Sequence, residues 1–209
     1  MSKSKYNYKV YNGKALKKLL ENSRIYFLST FFIIGIIIGA SAIKGDSDIT
    51  SKIAELIDSY TSVKSGQGIA ENFCNSLAVS GAFIAINTFL GFSLIGYPFI
   101  ILLPLFRGLG LGAVSGYFYS IYRLIGLGYS VSIIYPAAIV STVAVILACN
   151  DSCEYSKNAF AKSIKGKGQF EKEETKIYLI RQAIFFGVCA ASALIDALTT
   201  SAFSRFFEI

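Results

Sequence analysis

Three charged residues stand inside stretches that are otherwise apolar: Arg107 within Pro98–Ile121, and Arg181 near one end and Asp196 near the other of Ile177–Phe203. A charge at the centre of a membrane span costs at least ~2.5–3.5 kcal/mol on insertion scales, so it faces the bundle interior and finds a partner, or it serves a pathway. Arg107 lies roughly ten residues into its stretch, near mid-depth. Asp196 and Glu71 are the nearest acids in the pattern, but both belong toward span ends, so neither matches its depth well. Asn75 and Asn87 are expected to help solvate the guanidinium. Two readings follow for Arg107: a buried polar tie, or a residue of a transport or gating route.

Other chemistry is thin. The sequence contains no histidine, which removes Ser-His and Cys-His dyads and most zinc sites. Ser115, in Ala113-Val114-Ser115-Gly116, therefore has no imidazole base for an intramembrane serine protease. The four cysteines are Cys74, Cys149, Cys153 and Cys189; without a second pair or a histidine they read as small buried hydrophobes. No catalytic set, cofactor or metal is expected. The run Phe106-Arg107-Gly108-Leu109-Gly110-Leu111-Gly112-Ala113-Val114-Ser115-Gly116 has the look of a phosphate loop but lacks the Lys-Ser/Thr ending and a preceding strand. Gly108, Gly112 and Gly116 recur every four residues and so form one stripe along a helix, with Gly35 and Gly39 as a second such site. In lipid, stripes of this kind let another backbone approach closely.

The elements that must position these residues follow from composition. Of 209 residues, 54% are hydrophobic and 16% charged, against about 25% charged in soluble domains. A membrane helix needs about 20 apolar residues. The intervals between charges supply 19 at Ile25–Ile43, 35 at Asn72–Phe106 and 27 at Leu124–Asn150. The spacing predicts an all-α, polytopic helical bundle of about five spans, near residues 25–43, 73–94, 98–121, 130–149 and 177–201. Between the second and third, Gly91, Gly96 and Pro98 permit a tight inter-helix turn; a re-entrant loop over residues 88–104 is the alternative, tolerable only when surrounded by protein.

The formal charge of +7 is explained by topology. Residues 1–24 hold seven Lys and Arg and residues 151–176 hold six, whereas residues 44–72 hold three against five acids. Basic residues in short loops mark the cytoplasmic side. The expected organisation is a basic cytoplasmic tail (1–24), one bundle (25–201) with an outer loop (44–72) and a cytoplasmic loop (150–176), and a short outer tail (202–209). An uncleaved first span is expected despite Ala40-Ser41-Ala42, because signal-peptide cores run about 7–15 apolar residues. The partner implied by this charge pattern is membrane lipid, not nucleic acid; a homo-oligomer is left open.

In the outer loop, Ile49, Ile53, Leu56, Ile57, Tyr60 and Val63 recur at helical offsets, with Ser47 or Asp48 able to cap the start. This amphipathic helix, predicted over residues 48–63, either packs on the bundle and headgroups or presents Glu55, Asp58 and Tyr60 to an extracytoplasmic partner. Residues 151–176 read as a solvated linker.

Leu90-Gly91-x-Ser93-Leu94-Ile95-Gly96-x-Pro98, followed by Phe106-Arg107-Gly108-x3-Gly112-x3-Gly116-Tyr117, resembles the stage II sporulation protein M family of endospore-forming bacteria. Arg107 preserves a charge that is often lysine in that family. The resemblance implies a non-enzymatic membrane scaffold of the engulfment machinery. Such a scaffold recruits two cell-wall hydrolases, the sporulation proteins D and P, to the septal membrane of the mother cell. A small transporter or permease subunit with Arg107 in its pathway is the competing reading, although no internal repeat supports it.

Overall fold

The computed structural model describes residues 4–43, 51–59, 67–93, 95–164 and 172–203. Its elements are α1 (Ser4–Ala42), α2 (residues 51–59), α3 (Ile69–Phe92), α4 (Tyr97–Tyr129), a π-helical turn (Ser130–Ile134), α5 (Tyr135–Ile164) and α6 (Lys172–Phe203). The all-α expectation holds, and no strand occurs among the described residues. Among the described residues, five stretches are long and apolar enough to cross a membrane: Ser23–Ala42, Ile69–Phe92, Tyr97–Gly126, Ser130–Ala161 and Lys172–Ala202. Large apolar side chains such as Phe89, Leu124 and Ile184 point outward, which a bilayer tolerates because its hydrocarbon is as apolar as they are.

The helices outrun the predicted spans. The stretch read as a basic tail is helical from Ser4, and the stretch read as a cytoplasmic linker is helical to Ile164 and again from Lys172. Extending a formed helix adds a hydrogen bond for each residue ordered. The Ala, Lys and Glu in these segments are good helix formers, so loss of hydrophobicity marks the membrane boundary and not the helix end.

The segment between α3 and α4 is a plain turn, not a re-entrant loop. Ser93 N–H donates to Leu90 O at 3.0 Å and Gly96 N–H to Ser93 O at 3.1 Å. A Cβ at Gly96 would overlap the Leu90 carbonyl, and one at Gly91 the Tyr178 hydroxyl. Pro98 sits in the first turn of α4, where its missing N–H costs nothing.

Pro136, just after the start of α5, has the opposite consequence. Its ring excludes the carbonyl one turn earlier and it donates no hydrogen bond; the chain responds with the π turn Ser130–Ile134. Hydroxyls of α6 then satisfy carbonyls in this region: Thr199 donates to Ile133 O at 3.3 Å and Ser192 to Ala137 O at 2.6 Å. On α4 the helix is interrupted at Arg123, whose φ is 49°.

The amphipathic segment of the 44–72 loop does lie on the bundle. Ile57 is buried with Ile43, Tyr117, Phe118, Tyr129 and Ile133, and the Tyr117 hydroxyl donates to Asp58 at 3.1 Å. One residue departs from expectation: Leu56, assigned to the apolar face, is 71% exposed. A helix that rests on one narrow contact leaves the flanks of a broad apolar stripe uncovered. Tyr60, Val63 and the proposed cap at Ser47 or Asp48 lie outside the described residues.

Candidate functional site

Five of the predicted glycines form one contact. Gly35 and Gly39 of α1 meet Gly108, Gly112 and Gly116 of α4, so the two stripes read separately in the sequence are the two halves of a single seam. A Cβ at Gly35 would overlap Leu105 O, one at Gly108 would overlap Phe32 O, and one at Gly112 would overlap Ile36 O. At Gly116 the approach is slightly wider, with Ala40 O 3.0 Å from the Cβ position. Backbones this close leave no room for a methyl group, and packing holds the pair.

The polar face of α3 organises the other side of α4. Ser76, Ser80 and Asn87 recur at offsets of four and seven, which places them on one side of the helix. Ser80 accepts from Arg107 Nη2 at 3.4 Å, and Ser141 of α5 accepts from the same nitrogen at 2.7 Å. The Arg107 guanidinium carbon lies 5.4 Å from the centroid of the Phe83 ring, within cation–π range. One turn away along α3, the Ser76 hydroxyl donates to the Asp196 carboxylate. Gly108, next to Arg107, meets Phe32, near the middle of the span Ser23–Ala42. Arg107 is thus at mid-depth, as its position in the sequence implies.

These groups border a cavity of about 340 Å³. Arg107, Asp196, Ser76, Ser80, Ser141 and Ser192 supply its polar lining; Leu111, Val114, Phe118 and Ile133 supply apolar wall. The sequence placed Arg107 and Asp196 at mismatched depths. The structure brings both to one cavity, because Ser76 and Ser80 stand on successive turns of α3. The asparagines expected to solvate Arg107 do other work. Asn75 is exposed and donates to Gln67 Oε1 at 2.7 Å. Asn87 is two turns from Ser80 and donates to Ser152 Oγ at 2.8 Å and Gln182 Oε1 at 3.3 Å. Serines spaced four apart on an apolar helix are the sequence signal for Ser76 and Ser80.

Asn87 belongs to a second, closed polar layer. Gln182 donates to Ser152 Oγ at 3.2 Å and to Ala148 O at 3.4 Å. Ser152 and the Tyr178 hydroxyl are 2.8 Å apart, and Tyr178 stacks on Tyr155 with ring centroids 4.2 Å apart. Two ion pairs flank this layer, Arg181–Asp151 at 2.8 Å beside Gln182 and Ser152, and Arg24–Glu154 at 3.2 Å. Cys149, Cys153 and Cys189 are buried in the apolar core nearby, as expected of small hydrophobes, whereas Cys74 is exposed. It lies on the outward side of α3. Among the described residues no cluster of three or more metal-ligating side chains occurs.

Five apolar spans, an exterior suited to lipid and polar groups held between helices define a multi-pass helical membrane protein. The family model for stage II sporulation protein M matches residues 28–201, and the chain belongs to that family. It is accordingly a sporulation-related membrane protein. The match takes in the glycine seam, the Gly-Pro turn, the cavity and the closed layer. Comparison with curated proteins and with solved structures gave no match.

Proposed function

We propose that this protein is a non-catalytic anchor of the engulfment machinery, holding peptidoglycan hydrolases (sporulation proteins D and P, by the family resemblance) at the septal membrane of the mother cell. The observation that carries the reading is the docked helix α2. It is tied to the bundle through Ile57 and the Tyr117–Asp58 hydrogen bond, while Lys52, Glu55 and Leu56 stay exposed. An exposed leucine flanked by charges on a helix held from behind is the form a protein contact takes: an apolar anchor with a polar rim. By the distribution of Lys and Arg, this face is extracytoplasmic and the Arg24–Glu154 end is cytoplasmic, which puts α2 on the side where cell wall is found.

Asp58 is engaged with Tyr117, so the informative substitutions are Glu55→Lys and Leu56→Asp. Both leave the docked side of α2 intact. Co-purification with the two hydrolases from sporulating cells is expected to fall while the amount of protein in the membrane stays constant. Unchanged co-purification removes α2 from the interaction. A transporter reading draws support from the cavity beside Arg107. Against it stands the layer of Asn87, Ser152, Gln182 and Tyr178, whose side chains bond to one another beyond the cavity in the direction of the Arg24 end.

A further inference from the structure

The cavity is open on one side, and the opening lies at the depth of its charge. Gly110 is exposed, and a Cβ there would meet nothing within 4 Å. Phe106, one turn earlier on the same face of α4, is 56% exposed, and Val79 of α3 is 45% exposed. All three border the cavity. Phe106 adjoins Arg107, Gly110 follows within a turn, and Val79 adjoins Ser80, which Arg107 bonds. A helix rises about 1.5 Å per residue, so the gap between α3 and α4 gives onto the hydrocarbon near its middle. Phospholipid headgroups stand about 15 Å away, at the edges of a core about 30 Å thick. Another transmembrane helix, in contrast, carries side chains at every depth and can bring a polar one to this level.

We propose that the cavity receives a carboxamide side chain, glutamine or asparagine, from the middle of a partner's transmembrane helix seated against α3 and α4. The charges of the lining select this chemistry. Arg107 offers donors, and Asp196, which accepts from Ser76, offers an acceptor. A guanidinium has five N–H groups and a carboxylate about four acceptor sites, so each can serve a further partner beside its serine. A carboxylate would suit Arg107 and be repelled by Asp196; an ammonium would suit Asp196 and be repelled by Arg107. A carboxamide has an oxygen for the first and an NH2 for the second, and it brings no net charge into lipid. An apolar side chain would cover Leu111 and Val114 but leave both charges facing hydrocarbon, which is costly. Glycine at position 110 lets the partner's backbone come close, as small residues do between membrane helices. A second copy of this chain does not supply the group. Among the described residues, the carboxamides exposed within its spans are Asn75 and Asn158, and both stand toward span ends. This contact lies within the membrane, so it goes beyond the reading of α2 and stands whether or not α2 holds hydrolases.

The test uses the full-length protein in vesicles of phosphatidylethanolamine and phosphatidylglycerol, with a fluorophore on Cys74, the exposed cysteine of α3. The probes are synthetic leucine–alanine helices of about 20 residues, carrying an acceptor dye at one end. One has glutamine at its centre, one leucine at its centre, and one a glutamine displaced by about two turns. A central residue keeps its depth whichever way the helix inserts. Energy transfer should show the central-glutamine helix bound about tenfold more tightly than the leucine helix. That is the equivalent of about 1.4 kcal/mol, within the range of interhelical hydrogen bonds in model peptides. Displacing the glutamine should remove the preference, and so should Arg107→Leu. Gly110→Leu, at a position where an added side chain begins in open space, should also bring the two helices to equal binding by filling the entrance. Equal binding of the central-glutamine and leucine helices to the native protein overturns the proposal. So does a preference that survives Gly110→Leu, or one that is as strong for the displaced glutamine.

Discussion

Gly108 and Gly110 are two residues apart on α4. The first would drive a Cβ into the Phe32 carbonyl of α1, and the second has open space where its side chain would be. The seam on the first side is sealed by backbone contact and needs no polar group. The cavity on the second side is wide, carries Arg107 and Asp196 on its lining and depends on serine hydroxyls to hold them. Lipid supplies no hydrophobic force to drive helices together, so a bundle of this kind is only as rigid as its closest contacts. Here α1 is clamped to α4 along its span, and the side of α4 facing α3 can remain apart from its neighbour. The opening is compatible with a stable fold because the other face of the same helix is so tightly fixed.

The largest effect should come from breaking the seam. Gly35→Leu or Gly112→Leu places a branched side chain against a carbonyl oxygen that cannot move without displacing a whole helix. Overpacking a flexible core costs typically 1–3 kcal/mol, and backbone against backbone has less freedom to yield. Unfolding in mixed micelles is expected to show destabilisation of about 3 kcal/mol or more, or failure to assemble. A midpoint shift smaller than that of an exposed control, Gly187→Leu, would show that the two glycine rows are not in contact.

A smaller loss is expected in the closed layer. Asn87→Ala removes donors to Ser152 and Gln182, leaving their oxygens to find other partners. Interhelical hydrogen bonds in membrane proteins average about 0.6 kcal/mol and reach about 1.7, so a loss of about 1–2 kcal/mol is expected, with Asn87→Ala and Gln182→Ala non-additive in a double-mutant cycle. Arg107→Leu should behave differently from both. It relieves a mid-depth charge worth at least ~2.5–3.5 kcal/mol on insertion scales while giving up two serine contacts. Membrane abundance, followed by immunoblot of membrane fractions, should stay constant or rise. A collapse in abundance would make Arg107 a structural tie.

Much of this was legible from residue types alone. Five spans, the glycine stripes and the Gly91–Pro98 turn follow from local rules: apolar length, spacing of four, and residues that permit or punctuate a turn. Pairing was not legible. Nothing in Gly35 and Gly39 says that their partner is the stripe at Gly108, because any smooth helix face would suit them. The cavity escaped for a related reason. The depth of Arg107 follows from its place in the sequence, but that of Asp196 does not, because α6 is helical from Lys172 to Phe203 and outruns its predicted span at both ends. Ser76, Ser80 and Ser141 do not stand out in the sequence because a lone serine is common in a membrane helix; what gives them meaning is that Ser80 and Ser141 meet one guanidinium from two helices while Ser76 meets Asp196.

The smallest effect is also the sharpest discriminator between the two faces. Alanine in place of glycine in a helix interior removes the conformational entropy that glycine loses on folding, worth roughly 0.5–1 kcal/mol. At Gly110 nothing opposes that gain, since the added methyl meets no atom, so Gly110→Ala should stabilise by roughly 0.5–1 kcal/mol. At Gly112 the same methyl runs into Ile36 and the gain is overwhelmed, so Gly112→Ala should destabilise. The two substitutions are chemically identical and one half-turn apart, and their unfolding midpoints should move in opposite directions. If both moved the same way, α4 would not have one sealed face and one open face, and a single glycine-rich surface of uniform packing would describe it better.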